Sequence, residues 1–130
     1  MLATSKRAFR AAIICAALAI TTVAAEAKRL NPKTVAPVVA NGIGYSAEGD
    51  GRDQYVVATD AFTGKELWRA KVFHTRIKFW IEEDVQWVFI TDLKIVGDLL
   101  FVRDERARCH SVDIKTHRVH KAACDAVFAK

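Results

Sequence analysis

Residues 55–68, Tyr-Val-Val-Ala-Thr-Asp-Ala-Phe-Thr-Gly-Lys-Glu-Leu-Trp, decide the fold that this sequence predicts. The stretch opens with β-forming residues, passes through a turn cluster at 60–64, and resumes as extended chain from Glu66. Asp60 can accept hydrogen bonds from the backbone N–H groups that follow it, and Gly64 tolerates a positive φ. The pattern therefore predicts a strand, a turn and a strand. Strict alternation would put Glu66, Trp68 and Ala70 on one side, where Trp68 is expected to pack between sheets.

Further short strands are predicted on both sides of this hairpin. The hairpin itself comprises 55–60 and 65–73. The further strands are expected within residues 35–47, with a hairpin or a bulge at Asn41-Gly42, and at 86–96, 99–103, 108–114 and near 119. Turn-forming or charged residues separate them, and no stretch has the period of a long amphipathic helix. The chain is therefore predicted to be all-β, an antiparallel meander of two blade-like sheets packed as a small sandwich or an open barrel.

The turn pattern recurs 53 residues later. Asp113 falls at the place of Asp60 and Thr116 at the place of Thr63. In this second copy His117 replaces the glycine, and Lys121 stands at the spacing of the tryptophan. A repeat of this length is the right size for one small sheet.

The spacing Ala-x-Asp-x-x-Thr-Gly-Lys-x-x-Trp resembles the tryptophan-docking motif of pyrroloquinoline-quinone-type (PQQ-like) β-propeller repeats. The residues that carry it are Ala58, Asp60, Thr63, Gly64, Lys65 and Trp68, with Asp113 and Thr116 in the second copy. In that family each tryptophan packs against the neighbouring blade, and about four to eight blades close a ring. The resemblance implies a short two-repeat form over residues 28–130 with a scaffold role. No position matches a quinone or calcium ligand, so no cofactor is expected.

Residues 1–27 have the order of a secretory signal peptide. Lys6, Arg7 and Arg10 precede an apolar run at 11–25, and small-residue cleavage sites end at Ala25 and Ala27. A retained membrane anchor is the alternative, but a run of about 15 residues is shorter than the roughly 20 that span a bilayer. The mature chain is expected to begin at residue 26 or 28, to lack a membrane span, and to be periplasmic or secreted.

The charge of the chain makes nucleic acid an unexpected partner. The whole chain has 20 basic and 15 acidic residues; residues 1–27 hold three and one of these, leaving 17 and 14, a net charge of +3. No block of five or six like charges occurs. An anionic envelope surface suits a weakly basic exported domain better.

Two cysteines, Cys109 and Cys124, remain after processing. In an oxidising compartment an even pair favours a disulfide. The alternatives are free thiols, or a metal site that also uses His110, His117 and His120, whose spacing fits no zinc signature well.

The segment 71–80 interleaves basic and aromatic residues. The favoured interpretation is that Phe73, Phe79 and Trp80 fill the core. The alternative is a contact surface for an acidic protein or an anionic glycan. The charged runs at 50–53 and 82–84 are interpreted as solvated loops, because adjacent carboxylates in extended chain point apart.

The function that these observations predict is binding. We expect an accessory or scaffold component of the cell envelope whose partner is an envelope protein or an anionic glycan, with self-association through sheet edges as a further possibility. The alternative is a periplasmic metal-binding or redox accessory protein that uses the histidines and cysteines. Enzyme activity is not expected, because no catalytic set can be assembled from the sequence.

Overall fold

A computed structural model describes residue 32 and residues 34–129 of the chain. Eight strands form two four-stranded antiparallel sheets, with one short 3-10 helix at Asp84–Gln86. Strand order follows chain order in both sheets, so each sheet is a meander, and the described strands close no barrel. The predicted all-β fold is confirmed. The predicted signal peptide at 1–27 lies outside the described residues.

Blade 1 is the first sheet and contains β1 (Val38–Ala40), β2 (Ile43–Gly49), β3 (Asp53–Asp60) and β4 (Glu66–His74). β4 carries a bulge: Thr59 pairs with Glu66 and Ala58 pairs with Trp68, which leaves Leu67 without a partner. Because Ala58 and Thr59 are adjacent, Glu66 and Trp68 lie on opposite faces. The expectation that both share one face is therefore wrong.

Blade 2 is the second sheet and contains β5 (Ile90–Val96), β6 (Leu99–Asp104), β7 (Cys109–Asp113) and β8 (Val119–Ala122). β5 begins four residues later than the predicted start at 86, because the 3-10 helix occupies 84–86. Residues 75–89 thus form the connection between the blades, and we call this segment the aromatic loop.

The two blades share one hydrophobic core. Its buried members are Tyr45, Val56, Ala58, Ala70 and Val72 from blade 1 and Ile90, Leu100, Val102 and Val112 from blade 2. We call the face of blade 1 that carries Val56 and Ala58 the front of blade 1. The face of blade 2 that packs against it is the back of blade 2. Neither sheet has another apolar layer of this size, so each depends on the other for burial.

The back face of blade 1 points away from blade 2 and is charged. Arg69 bridges Glu48 and Glu66 at N–O distances of 3.1 and 2.7 Å. Arg69 and Lys71 also lie 5.5 and 5.8 Å from the centre of the Tyr55 ring. These ion pairs and ring contacts are all made within the face itself.

Within the described part of the chain, no helix is long and apolar enough to cross a membrane.

Candidate functional site

The two copies of the turn have the same hydrogen bonds. Asp60 Oδ1 accepts from the N–H groups two and three residues ahead at 2.8 and 3.0 Å, and Asp113 Oδ1 does so at the same distances. The N–H groups of Gly64 and His117 each donate at 2.8 Å to the carbonyl of the aspartate in their turn. These backbone donors hold the pKa of both carboxyl groups below its usual value. The 53-residue repeat therefore describes equivalent local structures.

The two threonines of the motif also act alike. Thr63 Oγ1 accepts from Lys65 N at 3.3 Å, and Thr116 Oγ1 accepts from Arg118 N at 3.4 Å. Lys65 and Gly64 are exposed, whereas Ala58 is buried on the front of blade 1. The motif thus combines an exposed turn with a small buried residue where the second sheet approaches.

Trp68 joins the two copies across the boundary between the blades. Its ring stacks on that of His117, with centroids 4.1 Å apart and planes 16° apart, and lies 6.0 Å from the ring of Tyr45. Trp68 is half-buried and packs against the shared core. Its contacts are those of a residue that packs between the two sheets.

The strand register changes which residue of blade 2 corresponds to Trp68. Trp68 pairs with Ala58, and the residue 53 positions after Ala58 is Ser111, which pairs with His120. Blade 2 lacks the bulge at Leu67, so His120, and not Lys121, occupies the position of the tryptophan. The assignment of Lys121 from sequence spacing is thereby corrected.

The structure contains the expected disulfide between Cys109 and Cys124, with Cα atoms 5.5 Å apart. The bonded sulfurs are not available as thiolate ligands. His110 stacks on Phe73 at 5.5 Å, and strand pairing puts His110 and His120 on opposite faces of blade 2. Among the described residues, no three His, Cys, Asp or Glu side chains are placed to hold a metal ion.

Burial also sets the protonation of His110. Desolvation lowers the pKa of its imidazole, which favours the neutral ring. A neutral imidazole on an apolar ring is a packing residue, in keeping with the stack on Phe73.

The aromatic loop presents its rings to solvent. Phe79 is 92% exposed and Trp80 is 67% exposed, so the expectation that they fill the core is wrong. Phe73 alone of the three packs against the core. The rings of Phe79 and Trp80 meet edge to face with centroids 5.0 Å apart, and the Lys78 ammonium lies 6.0 Å from the centre of the Trp80 ring.

One buried side chain organises this loop. Lys78 N donates to Gln86 Oε1 at 2.8 Å, and Gln86 Nε2 donates to the carbonyls of Lys78, Ile81 and Glu82 at 3.0, 2.9 and 3.2 Å. The amide thus closes the loop as backbone pairing would close a hairpin. The exposed rings are therefore held in a defined position.

The loop is also fixed to blade 1. Arg52 Nε donates to Glu83 Oε1 at 2.6 Å, and this bond holds the pKa of Glu83 below its usual value. Gly51 has a φ of 93°, and a Cβ there would overlap the Trp87 ring, so only glycine allows this approach. The ion pair between Arg52 and Glu83 joins the charged runs at 50–53 and 82–84, and both of its side chains are about half exposed.

The result is a small apolar surface with a charged rim. Phe79, Trp80, Ile81 and Val85 are all at least 40% exposed, and Lys78 and Glu82 adjoin them. Such a rimmed patch is typical of a protein contact site. The interleaved rings were visible in the sequence. Gln86, eight residues from Lys78, gave no signal of its role.

Similarity to known proteins is found among solved structures. No family model matches the chain, and no curated protein matches it. Solved structures that match include BamB from Moraxella catarrhalis, at 18% identity and a TM-score of 0.48. That match covers 69% of this chain and 27% of the other, so this chain spans about a quarter of the length of that protein.

Proposed function

We propose that this protein is an exported β-domain that acts by binding, as an accessory or scaffold component of the cell envelope, and that the aromatic loop contacts its partner. The observation that carries this proposal is the exposure of Phe79 and Trp80, 92% and 67%, on a loop whose backbone is tied to Gln86. An exposed aromatic pair on a mobile loop would lose entropy on binding. Because Gln86 already fixes the backbone of this loop in the folded protein, most of that entropy is lost during folding and not on binding.

The chemistry of the loop favours a protein partner over an anionic glycan. Aromatic anchors surrounded by polar groups dominate the energy of protein interfaces. The rim carries Lys78 and Arg76 but also the exposed Glu82, so a polyanion would meet repulsion beside attraction. An apolar pocket on a folded envelope protein accepts the two rings without that conflict.

Two features support export. The charged, apolar and small-residue order of residues 1–27 matches a signal peptide, and a disulfide between Cys109 and Cys124 suits an oxidising compartment. A PQQ-like two-repeat domain over residues 28–130 is part of the same proposal, supported by the matching turns. Intact-mass measurement on protein from the native host tests the processing: a chain beginning at residue 26 or 28 is expected, and a retained Met1 contradicts it.

Crosslinking in the native cell tests the binding surface. A photoreactive amino acid at position 80 should capture an envelope protein, whereas the same group at position 62 should not. Phe62 is a matched control, because it is as exposed as Phe79 but lies on the turn of blade 1. Equal capture from both positions, or none from position 80, contradicts the proposed surface.

Substitution provides a second measurement. With the photoreactive group moved to the exposed position 82, Phe79→Ala and Trp80→Ala should each weaken capture at least tenfold and leave the melting temperature close to that of the parent, since both rings are exposed. Retained capture by both variants would locate the binding surface elsewhere.

A further inference from the structure

The chain turns back across blade 2 after its last strand. Residues 123–129, which we call the strap, contact the three strands β7, β5 and β6. Cys124 is bonded to Cys109 of β7, Phe128 lies beneath the Arg103 guanidinium of β6 at 4.8 Å, and Lys94 Nζ of β5 donates to the Val127 carbonyl at 2.8 Å. The strap is thus attached at three points to one face.

That face is the front of blade 2, equivalent to the face that blade 1 uses for packing. The repeat spacing of 53 residues relates Val56 to Cys109 and Ala58 to Ser111. Val56 and Ala58 are both 0% exposed, because the front of blade 1 packs on the back of blade 2. The strap therefore lies where a following blade would pack.

We propose that the front of blade 2 is a docking face for the back of blade 1 of a second copy, and that the strap keeps it closed. The contact continues the front-to-back packing already present within the molecule. In it, His120 takes the place of Trp68 and faces the Gly64 turn of the second copy. A Cβ at Gly64 would have no atom within 4 Å, so that turn is free to receive a ring. A head-to-tail contact of this kind adds copies successively.

The charges on the two faces allow this approach. On the back of blade 1, Arg69 is paired with Glu48, and Lys71 with Asp53 at 3.3 Å. On the front of blade 2, Arg103 is paired with Asp92 at 2.8 Å. Arg69 is also shared with Glu66, so the back of blade 1 has one carboxylate more than its cations, whereas Lys94 on the front of blade 2 is bonded to a strap carbonyl and not to a carboxylate. A surplus negative charge on one face and a surplus positive charge on the other favour the approach of two copies.

A dithiol reductant can open the strap. Cys124 borders a cleft on each side, one lined by Phe73 and His110 and the other by Arg103 and Phe128. A thiolate of the reductant attacks the Cys124 sulfur and breaks its bond to Cys109, which leaves as a thiolate and takes up a proton. The second thiol of the reductant then displaces Cys124, and the reductant departs as a cyclic disulfide. Both cysteines end as thiols, and the covalent tether is lost.

The test is the molar mass of the processed chain as a function of its concentration, by light scattering after gel filtration. We compare the oxidised chain, the chain in dithiothreitol, and a chain that ends at Ala122. At high concentration, the chain in dithiothreitol and the chain that ends at Ala122 should each show an average molar mass at least twice that of the oxidised chain. Ser46→Arg, which puts a bulky charge on the back of blade 1 opposite Val57, should abolish that increase. Lys121→Ser, at an exposed position on the face of blade 2 opposite the strap, should not.

Far-UV circular dichroism distinguishes association of folded chains from aggregation. A chain ending at Ala122 that keeps its β spectrum and the mass of the oxidised chain overturns the proposal. So does an increase in mass that Ser46→Arg leaves intact. If the shortened chain is unfolded, Cys124→Ser keeps the strap but frees it, and its mass decides between the same two outcomes.

Discussion

At the scale of single residues, position 117 shows how one side chain replaces a glycine. His117 has a φ of 62°, close to the 74° of Gly64 in the first turn. The left-handed conformation costs a residue with a Cβ about 1 kcal/mol. Stacking on Trp68 supplies a stabilisation of similar size, about 0.5–1.5 kcal/mol. The stacking of the His117 ring on Trp68 of blade 1 thus offsets the cost of its left-handed backbone conformation.

Trp68→Ala should destabilise the protein by about 3 kcal/mol, because it removes a large ring between the two sheets. Trp80→Ala is the matched control and should change stability by less than about 0.5 kcal/mol, since Trp80 is mostly exposed. Urea unfolding followed by circular dichroism measures both. Equal effects of the two substitutions would mean that Trp68 does not join the blades.

Asp60→Ala should lower the melting temperature at neutral pH, because two N–H groups lose their acceptor. The N–H groups of Thr63 and Phe62 hold the pKa of Asp60 in the folded state below its usual value. The stabilisation is therefore present above about pH 4 and is lost as the pH falls through the folded-state pKa.

The difference in melting temperature between parent and Asp60→Ala should accordingly narrow below about pH 4. Glu82→Ala, at an exposed site with no described ion pair, controls for general charge effects. A difference that stays constant from pH 7 to pH 3 would show that the carboxylate does not stabilise this turn.

At the scale of elements, the aromatic loop holds its shape through hydrogen bonds and not through apolar packing. Gln86 is 9% exposed and supplies both an acceptor and a donor to the loop backbone. A buried carbonyl or N–H that loses its partner costs about 1–3 kcal/mol. The loop should therefore respond to this one side chain more than to any of its exposed rings.

Gln86→Ala should speed amide hydrogen exchange in residues 78–82 by at least tenfold, because the loop backbone loses its anchor. Exchange in β6 and β7 should change much less. Gln86→Glu is an informative companion, since it keeps the acceptor for Lys78 N but removes the donor to three carbonyls. Unchanged exchange in the loop of the alanine variant would contradict the role of Gln86.

At the scale of the whole molecule, the two blades form one folding unit. The buried residues of both sheets belong to a single cluster, and the described strands include no second core. Blade 1 and blade 2 should therefore lose their structure in one transition, as small single domains usually do.

Leu100→Ala tests this coupling from within blade 2. Leu100 is fully buried, so the substitution should cost about 2–5 kcal/mol, and the protection of blade 1 amides should fall together with that of blade 2. Val96→Ala, at a half-exposed position, should have little effect. Separate transitions, or protection lost in blade 2 alone, would show that the blades are independent.

The sequence by itself determined the local parts of this protein. The turns at Asp60 and Asp113 could be predicted because their carboxylates reach N–H groups only two and three residues away. The pair of short strands around Asn41-Gly42, with a hairpin or a bulge between them, and the favoured disulfide between Cys109 and Cys124 were likewise predicted from short stretches of sequence. In each case the partners lie close in sequence or have few alternatives.

Only the tertiary structure decided which apolar residues are buried and which residues correspond between blades. Phe79 and Trp80 are as hydrophobic as the core residues, yet the core was completed by the facing sheets and left no place for them. The bulge at Leu67 shifted the register so that His120 matches Trp68. Burial and register depend on surfaces that are formed by residues distant in the sequence. Side chains alternate between the two faces of a strand, so one inserted residue moves every later side chain to the opposite face.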